Sequence, residues 1–235
     1  MKNVRVEEFL DLFKQLERLL EKKYAEEPLS DESVVVHYEN SREGQEHKEI
    51  LSSIRKIRNV LQHNPKINGE YIVTPSVDLV DQLRQIVDEV EHPKLAIDFG
   101  VKANQIFKAT LSSGLVRVIK VMKERGFSHV PIIENEKLYG VLSAYTVFEF
   151  VTEQGMQIIT GETKIGAMKD YLPIRMHKNE YYLFMPKKAT FTDADEAFEK
   201  RDNRPRRLVA IFITATGSPD EPILAMLTPW SVVGK

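Results

Sequence analysis

The chain of 235 residues contains no cysteine. That excludes disulfides, thiolate nucleophiles and cysteine-ligated metals, and it fits a reducing compartment. No apolar run approaches the roughly 20 residues that a membrane-spanning helix needs. The opening segment, Met1 to Glu8, lacks the apolar stretch of a secretory signal, so the chain is expected to be soluble and cytoplasmic, with no membrane partner. Charge of one sign is scarce too. The formal net charge is -2, from 33 Lys and Arg against 35 Asp and Glu, which argues against a constitutive nucleic-acid coat. No P-loop, glycine-rich dinucleotide loop or nucleophile elbow is present. His37, His47 and His177 stand isolated, and no spacing among His, Asp and Glu resembles a metal site. Tryptophan occurs once, at Trp230.

What is there divides into two halves with different periods. Apolar residues make up 42% of the chain, enough for one large core or two modest ones. In the first half Phe9, Phe13, Leu16 and Leu20 fall at helical spacing. Ile50, Ile54, Ile57 and Leu61 form a second helical run, which must stop near Asn64 because Pro65 follows. Val80, Leu83, Val87 and Val90 form a third, opened by Thr74-Pro75. Between the first two, Leu29 to Gly44 shows no clear period, and Glu43 to Glu49 reads as a solvated helix start. His92-Pro93 reads as a boundary.

Beyond it, one order of elements occurs twice. Ile106 to Ala109 reads as a short strand, and Leu115, Val118, Ile119 and Met122 as a helix closed by Gly126. Val130 to Ile133 and Leu138 to Leu142 then read as strands joined by the polar turn Glu134-Asn135-Glu136-Lys137, with a helix over Tyr145 to Val151. Later, Tyr182 to Met185 reads as a strand, Thr192 caps a helix through Phe198, and Arg207 to Thr214 and Ile223 to Leu227 are strands around the turn Gly217 to Asp220. Each copy ends in an apolar strand that stops at a hydroxyl: Gly140-Val141-Leu142-Ser143 and Ala225-Met226-Leu227-Thr228. A hydroxyl at a strand-to-helix corner caps free N–H groups, and such corners suit phosphate or ribose.

This β-α-β-β-α order, with Val130-Pro131-Ile132 in the first copy, resembles the cystathionine-β-synthase (CBS) domain. The likeness runs from Leu115 to Val151 and from Lys187 to Val233, with Ala225 where glycine is usual and no proline in the second middle strand. The resemblance implies two copies packed about a pseudo-twofold axis, a homodimer, and a nucleotide (AMP, ADP, ATP or another phosphorylated signal) bound in the clefts between copies. Carried over by position, Ser143 and Thr228 are the hydroxyls that meet phosphate. The family's ribose-binding Asp positions hold Thr146 and Ser231. His129 and Arg207 fall just before the middle strands, where the family often places phosphate ligands, and Arg204, Arg206, Lys187 and Lys188 add charge around the second site. The plainer alternatives are that Ser143 and Thr228 only cap helices and that the outer basic residues form a solvated loop. Trp230 either stacks on a base or fills the core.

In the helical half, Arg58-Asn59 followed after three residues by His63 resembles the R-x4-6-H motif of HEPN domains, helical bundles that are often ribonucleases. A histidine relays protons near neutral pH, and an arginine stabilises the developing phosphorane charge. Five residues along an ideal helix, however, separate Arg58 and His63 by about 140°. The alternative is that Arg58 pairs with an acid while His63 sits at a favourable helix C-terminus.

The expected fold class is therefore α+β, an N-terminal helical bundle over residues 1–92 followed by a tandem CBS pair over 93–235, the copies being about 93–155 and 156–235. Three functions follow. The pair senses a nucleotide and controls the helical domain; or that domain is a metal-independent endoribonuclease, Arg58, His63 and Asn59 acting on RNA; or both modules are a ligand-free dimerisation scaffold.

Overall fold

A computed structural model describes residues 2–25, 32–63, 66–155, 159–200 and 205–232. Arg201 and Arg204 of the basic loop, Leu29, the Asn64-Pro65 stop and the residues after Val232 lie outside the described residues. The chain divides into two compact units, Met1–Lys94 and Leu95–Lys235.

The first unit is helical. α1 (Lys2–Lys23) buries Val6, Phe9, Phe13, Leu16 and Leu20, whose steps of three and four place them on one face. α3 (Lys48–His63) adds Leu51, Ile54 and Leu61, with Ile50 and Ile57 at the rim. α4 (Val77–Glu91) adds Val80, Leu83, Ile86 and Val87. It is opened by Ser76 rather than by Thr74-Pro75: the Ser76 hydroxyl accepts the Leu79 N–H at 3.2 Å, a donor that Thr74 is too early to reach. The stretch without a clear period holds α2 (Val34–Asn40), capped by Ser33, with Val35 and Tyr38 in the same core. Seven residues are too few to display a helical period.

The second unit mixes helices and sheet. β2 (His129–Glu134) and β3 (Lys137–Ser143) pair antiparallel, and Asn135 and Glu136 turn between them at φ 49° and 65°. α6 (Leu115–Arg125) precedes them and ends on Gly126 at φ 70°; α7 (Ala144–Gln154) follows. The strand expected at 106–109 reduces to one bridge. Ala109 donates to the Pro131 carbonyl at 3.1 Å and accepts from the Ile133 N–H at 2.8 Å.

The second repeat has the same order. β4 (Glu180–Pro186) and β5 (Arg207–Thr214) pair parallel across α8 (Phe191–Glu199), β5 pairs antiparallel with β6 (Ala225–Leu227), and α9 (Pro229–Val232) closes the repeat. The cap of α8 is Thr190, not Thr192. Asp193 returns a bond to the Thr190 N–H at 2.7 Å, and that reciprocal pair places Thr192 inside the helix.

Each repeat completes its core with a segment from outside its own run of elements. β1 (Val101–Lys102) precedes the first repeat but pairs with β6, and Ala96 of the short helix α5 (Ala96–Phe99) is buried among second-repeat residues. Ile165, Met168 and Leu172 follow the first repeat and are buried in its core, while the Leu115 N–H donates to Thr163 O at 2.8 Å. The two repeats differ at the glycine of the corner strand. A Cβ on Gly140 would lie 2.1 Å from the Leu172 carbonyl oxygen, so only glycine fits there. In the second repeat Ala225 packs close to Gly100, where a Cβ would lie 3.2 Å from that of Ala225.

Candidate functional site

The corner after β3 is built by its own side chains. Ser143 opens α7, and its hydroxyl accepts the Thr146 N–H at 3.2 Å. The Thr146 hydroxyl accepts the Ser143 N–H at 2.9 Å and donates to the Ser143 carbonyl at 2.9 Å. Both residues are buried, Thr146 completely. The second corner repeats the motif in part: the Ser231 hydroxyl accepts the Thr228 N–H at 3.1 Å. None of these four residues lines the cleft of this unit.

That cleft has a volume of about 560 Å³, within the range of roughly 300–1,000 Å³ typical of small-ligand sites. Its walls come from four chain segments. His129 and Ser128 enter β2, Asn179 and Glu180 enter β4, and Pro205 and Arg207 enter β5, while Ala144, Tyr145 and Phe148 come from the start of α7. Of the expected site residues, the cleft thus unites His129 and Arg207. Arg207 is exposed, and its guanidinium has no hydrogen bond or ion pair among the described residues. Phe148 is 64% exposed.

Beneath the cleft lies a buried polar cluster. His129 Nε2 is 3.1 Å from Glu180 Oε1, and His177 Nδ1 is 3.5 Å from Glu180 Oε2. The Tyr182 hydroxyl donates to Glu180 Oε2 at 3.3 Å, and the Ser143 hydroxyl bonds the same carboxylate. Burial by itself would raise the Glu180 pKa, but the hydrogen bonds of His129, His177 and Ser143, with the charge of His129, outweigh it and hold the carboxyl well below the usual carboxylate range. Burial, reinforced by the Glu180 charge, pushes the Tyr182 hydroxyl above its ordinary value, so it remains a neutral donor. Register explains the convergence. His129 faces Ser143 across β2 and β3, and Glu180 faces Arg207 across β4 and β5.

The remaining candidates lie elsewhere. Arg206 is exposed and donates to the His177 carbonyl at 3.3 Å. Lys187 and Lys188 follow Pro186, which pairs with Thr214 at the far end of β5 from Arg207, about 20 Å along the strand. They do not add charge to this cleft. Trp230 is 85% exposed, so it does not fill the core, and neither it nor Met226 lines the cleft. In the helical unit, Arg58 donates to Glu17 at 3.3 Å and to Asn59 at 3.2 Å, with its guanidinium 5.1 Å from the Phe13 ring centre. Its Nε is buried without a partner among the described residues. Asn59 and His63 are exposed, His63 as the last residue of α3. Arg58 is thus turned onto α1 while His63 faces outward. Among the described residues no group of three His, Asp or Glu could hold a metal ion, and no helix is long and apolar enough to cross a membrane.

Sequence reasoning missed Glu180, His177, Tyr182, Tyr145 and Phe148. The available signal was Asn179-Glu180 at the mouth of an apolar strand, a charge placed where the strand must be entered from solvent.

No family model matches the chain, and no curated protein matches it. Solved structures similar to it include CBSX2 in complex with AMP, 18% identical, covering 60% of this chain and 93% of that one with a TM-score of 0.42. A hemolysin-like protein containing a CBS domain from Oenococcus oeni PSU is 13% identical, with 59% and 87% covered and a TM-score of 0.40. The CBS domain pair of protein MJ0100, in complex with 5′-methylthioadenosine and S-adenosyl-L-methionine, is 11% identical, with 59% and 92% covered and a TM-score of 0.39. These structural neighbours are CBS-domain proteins.

Proposed function

We propose that the second unit is a regulatory module that binds an adenosine-type nucleotide or a related phosphorylated signal, and that occupancy controls the HEPN-like helical unit. The observation that carries the reading is Arg207: a guanidinium with no partner among the described residues, at the entry to β5, on the same cleft as His129 and two aromatic side chains. Its planar fork of donors matches phosphate oxygens, and a cation already paired within the protein would have to give up a bond to do the same. Control of the helical unit requires a ligand that binds one arrangement of the chain better than another. The engagement of Arg58 with Glu17 and Phe13 speaks against a ribonuclease, so RNA is not among the partners in this reading. The active form is taken to be a homodimer, which light scattering of the full chain tests.

The test is a thermal-shift screen of the full chain against AMP, ADP, ATP, GTP, cyclic dinucleotides and S-adenosylmethionine, repeated with Arg207→Ala. A ligand at 100 times its dissociation constant adds about 2.7 kcal/mol, a readable shift. The expected result is a stabilising nucleotide whose effect Arg207→Ala abolishes. Silence across the panel overturns the reading in favour of a scaffold.

A further inference from the structure

We infer that this cleft reads its ligand through a phosphate and a flat ring and does not read the ribose diol, so ribo- and deoxyribonucleotides are bound alike. The inference rests on the nucleotide reading above and narrows it to a ligand class.

Recognition of a diol needs an acceptor, and an ionised carboxylate is the strongest available. Among the described residues Glu180 is the one carboxylate lining the cleft, and its side chain is 8% exposed. Oε1 is engaged by His129 at 3.1 Å, and Oε2 by Tyr182 at 3.3 Å and His177 at 3.5 Å. The Ser143 hydroxyl bonds the same carboxylate, so its roughly four acceptor positions are taken, and a diol would have to displace one of these buried partners and leave it unsatisfied. Thr146 offers nothing either: it is 0% exposed, its proton goes to the Ser143 carbonyl and its oxygen takes the Ser143 N–H. Ser231 accepts from Thr228 in the same manner and lies off the cleft. What remains among the described side chains is neutral: the Asn179 amide, the Tyr145 hydroxyl and the Ser128 hydroxyl, which is already bonded to His129 at 2.8 Å, all weaker acceptors than a free carboxylate.

The opposite holds for the other two features of a nucleotide. Arg207 presents a guanidinium without a partner among the described residues, suited to a phosphate. Tyr145 and the 64% exposed Phe148 offer ring surface at the start of α7, suited to stacking a planar base. A ligand held at these two points leaves its sugar hydroxyls to solvent.

The experiment is calorimetric titration of the full chain with AMP, 2′,3′-dideoxy-AMP and adenosine. The expected result is that AMP and dideoxy-AMP bind within about threefold of each other, while adenosine binds at least about tenfold more weakly. Arg207→Gln, an exposed change, should weaken AMP and leave adenosine untouched. AMP binding about tenfold or more tightly than dideoxy-AMP overturns the inference and leaves the nucleotide reading standing. Adenosine matching AMP, or Arg207→Gln weakening both equally, overturns the phosphate contact. Binding of none of the three overturns the adenosine-class reading and this inference with it.

Discussion

The Thr146 hydroxyl is bonded twice to one residue, accepting the Ser143 N–H at 2.9 Å and donating to the Ser143 carbonyl at 2.9 Å. A hydroxyl so engaged, with no exposed surface, serves the turn and not a ligand. Thr146→Val keeps the shape and removes both bonds, leaving a buried N–H without its partner. The expected loss is about 1–3 kcal/mol in the second unit's unfolding. Affinity for whichever nucleotide binds should stay the same when titrated at a temperature where the variant is folded. A loss of affinity at full folding would assign Thr146 to the ligand after all.

Gly140 and Ala225 occupy the same place in the two repeats but face different neighbours. Gly140→Ala puts a methyl group 2.1 Å from the Leu172 carbonyl oxygen, which also receives the Val141 N–H at 2.9 Å. Backbone on both sides cannot yield as a side chain would, and the expected loss is about 3 kcal/mol or more. Ala225→Gly should cost only about 1 kcal/mol, from the freedom gained by the unfolded chain. Urea unfolding of the two variants checks the asymmetry, and equal losses would refute it.

Arg58 and His63 should also separate experimentally. Arg58 stacks on Phe13 and pairs with Glu17, at side-chain exposures of 24% and 28%. Losing a half-exposed pair together with a cation–π contact should cost about 1–2 kcal/mol for Arg58→Ala. His63→Ala, at an exposed helix end, should change stability by less than about 0.5 kcal/mol. Thermal unfolding reads both. An RNA-cleavage assay that found activity lost equally in both variants, with stability unchanged, would return the pair to catalysis.

Much of the local order is legible in the residues because its causes are local. β5 starts at Arg207 and ends at Thr214 as its unbroken apolar run predicts, α6 stops at Gly126, and the polar turn joins β2 to β3. What depends on distant partners is not legible. The pairing of β1 with β6 joins residues that are far apart in sequence, so no window contains the pattern. His129 meets Glu180 across 51 residues, and nothing near either one marks the other. Trp230 is the opposite case: tryptophan usually helps fill a core, yet here it is 85% exposed, since α9 is one turn long and buries Val232 instead. At the first corner the geometry favours the plainer alternative. A hydroxyl that can meet phosphate can equally meet its own helix, and the Ser143 and Thr146 hydroxyls each take the other's N–H, while at the second corner Ser231 takes the Thr228 N–H.

Glu180 joins the two repeats, since it opens β4 of the second and binds His129 at the head of β2 in the first. Its carboxyl is depressed in the folded protein because His129 and His177 outweigh the cost of burial. A depressed acid stabilises the fold above its unfolded-state value, about 4.3 for a glutamate, and loses that contribution as pH falls towards the folded value. Stability of the second unit should therefore be level above about pH 5 in this respect and decline on acidification below it. Glu180→Gln removes the titrating group and the pair, at an expected cost of about 3–5 kcal/mol near neutral pH. The difference in stability between the wild-type chain and Glu180→Gln should shrink as pH falls from 5 to 3. In the folded chain Glu180 stays ionised over that range, so its hold on His129 should persist, and nucleotide affinity should not follow stability downward at pH values where the chain is still folded. Urea unfolding and calorimetry at matched pH values measure both quantities, and a difference between wild type and variant that stays constant with pH would remove Glu180 from the account.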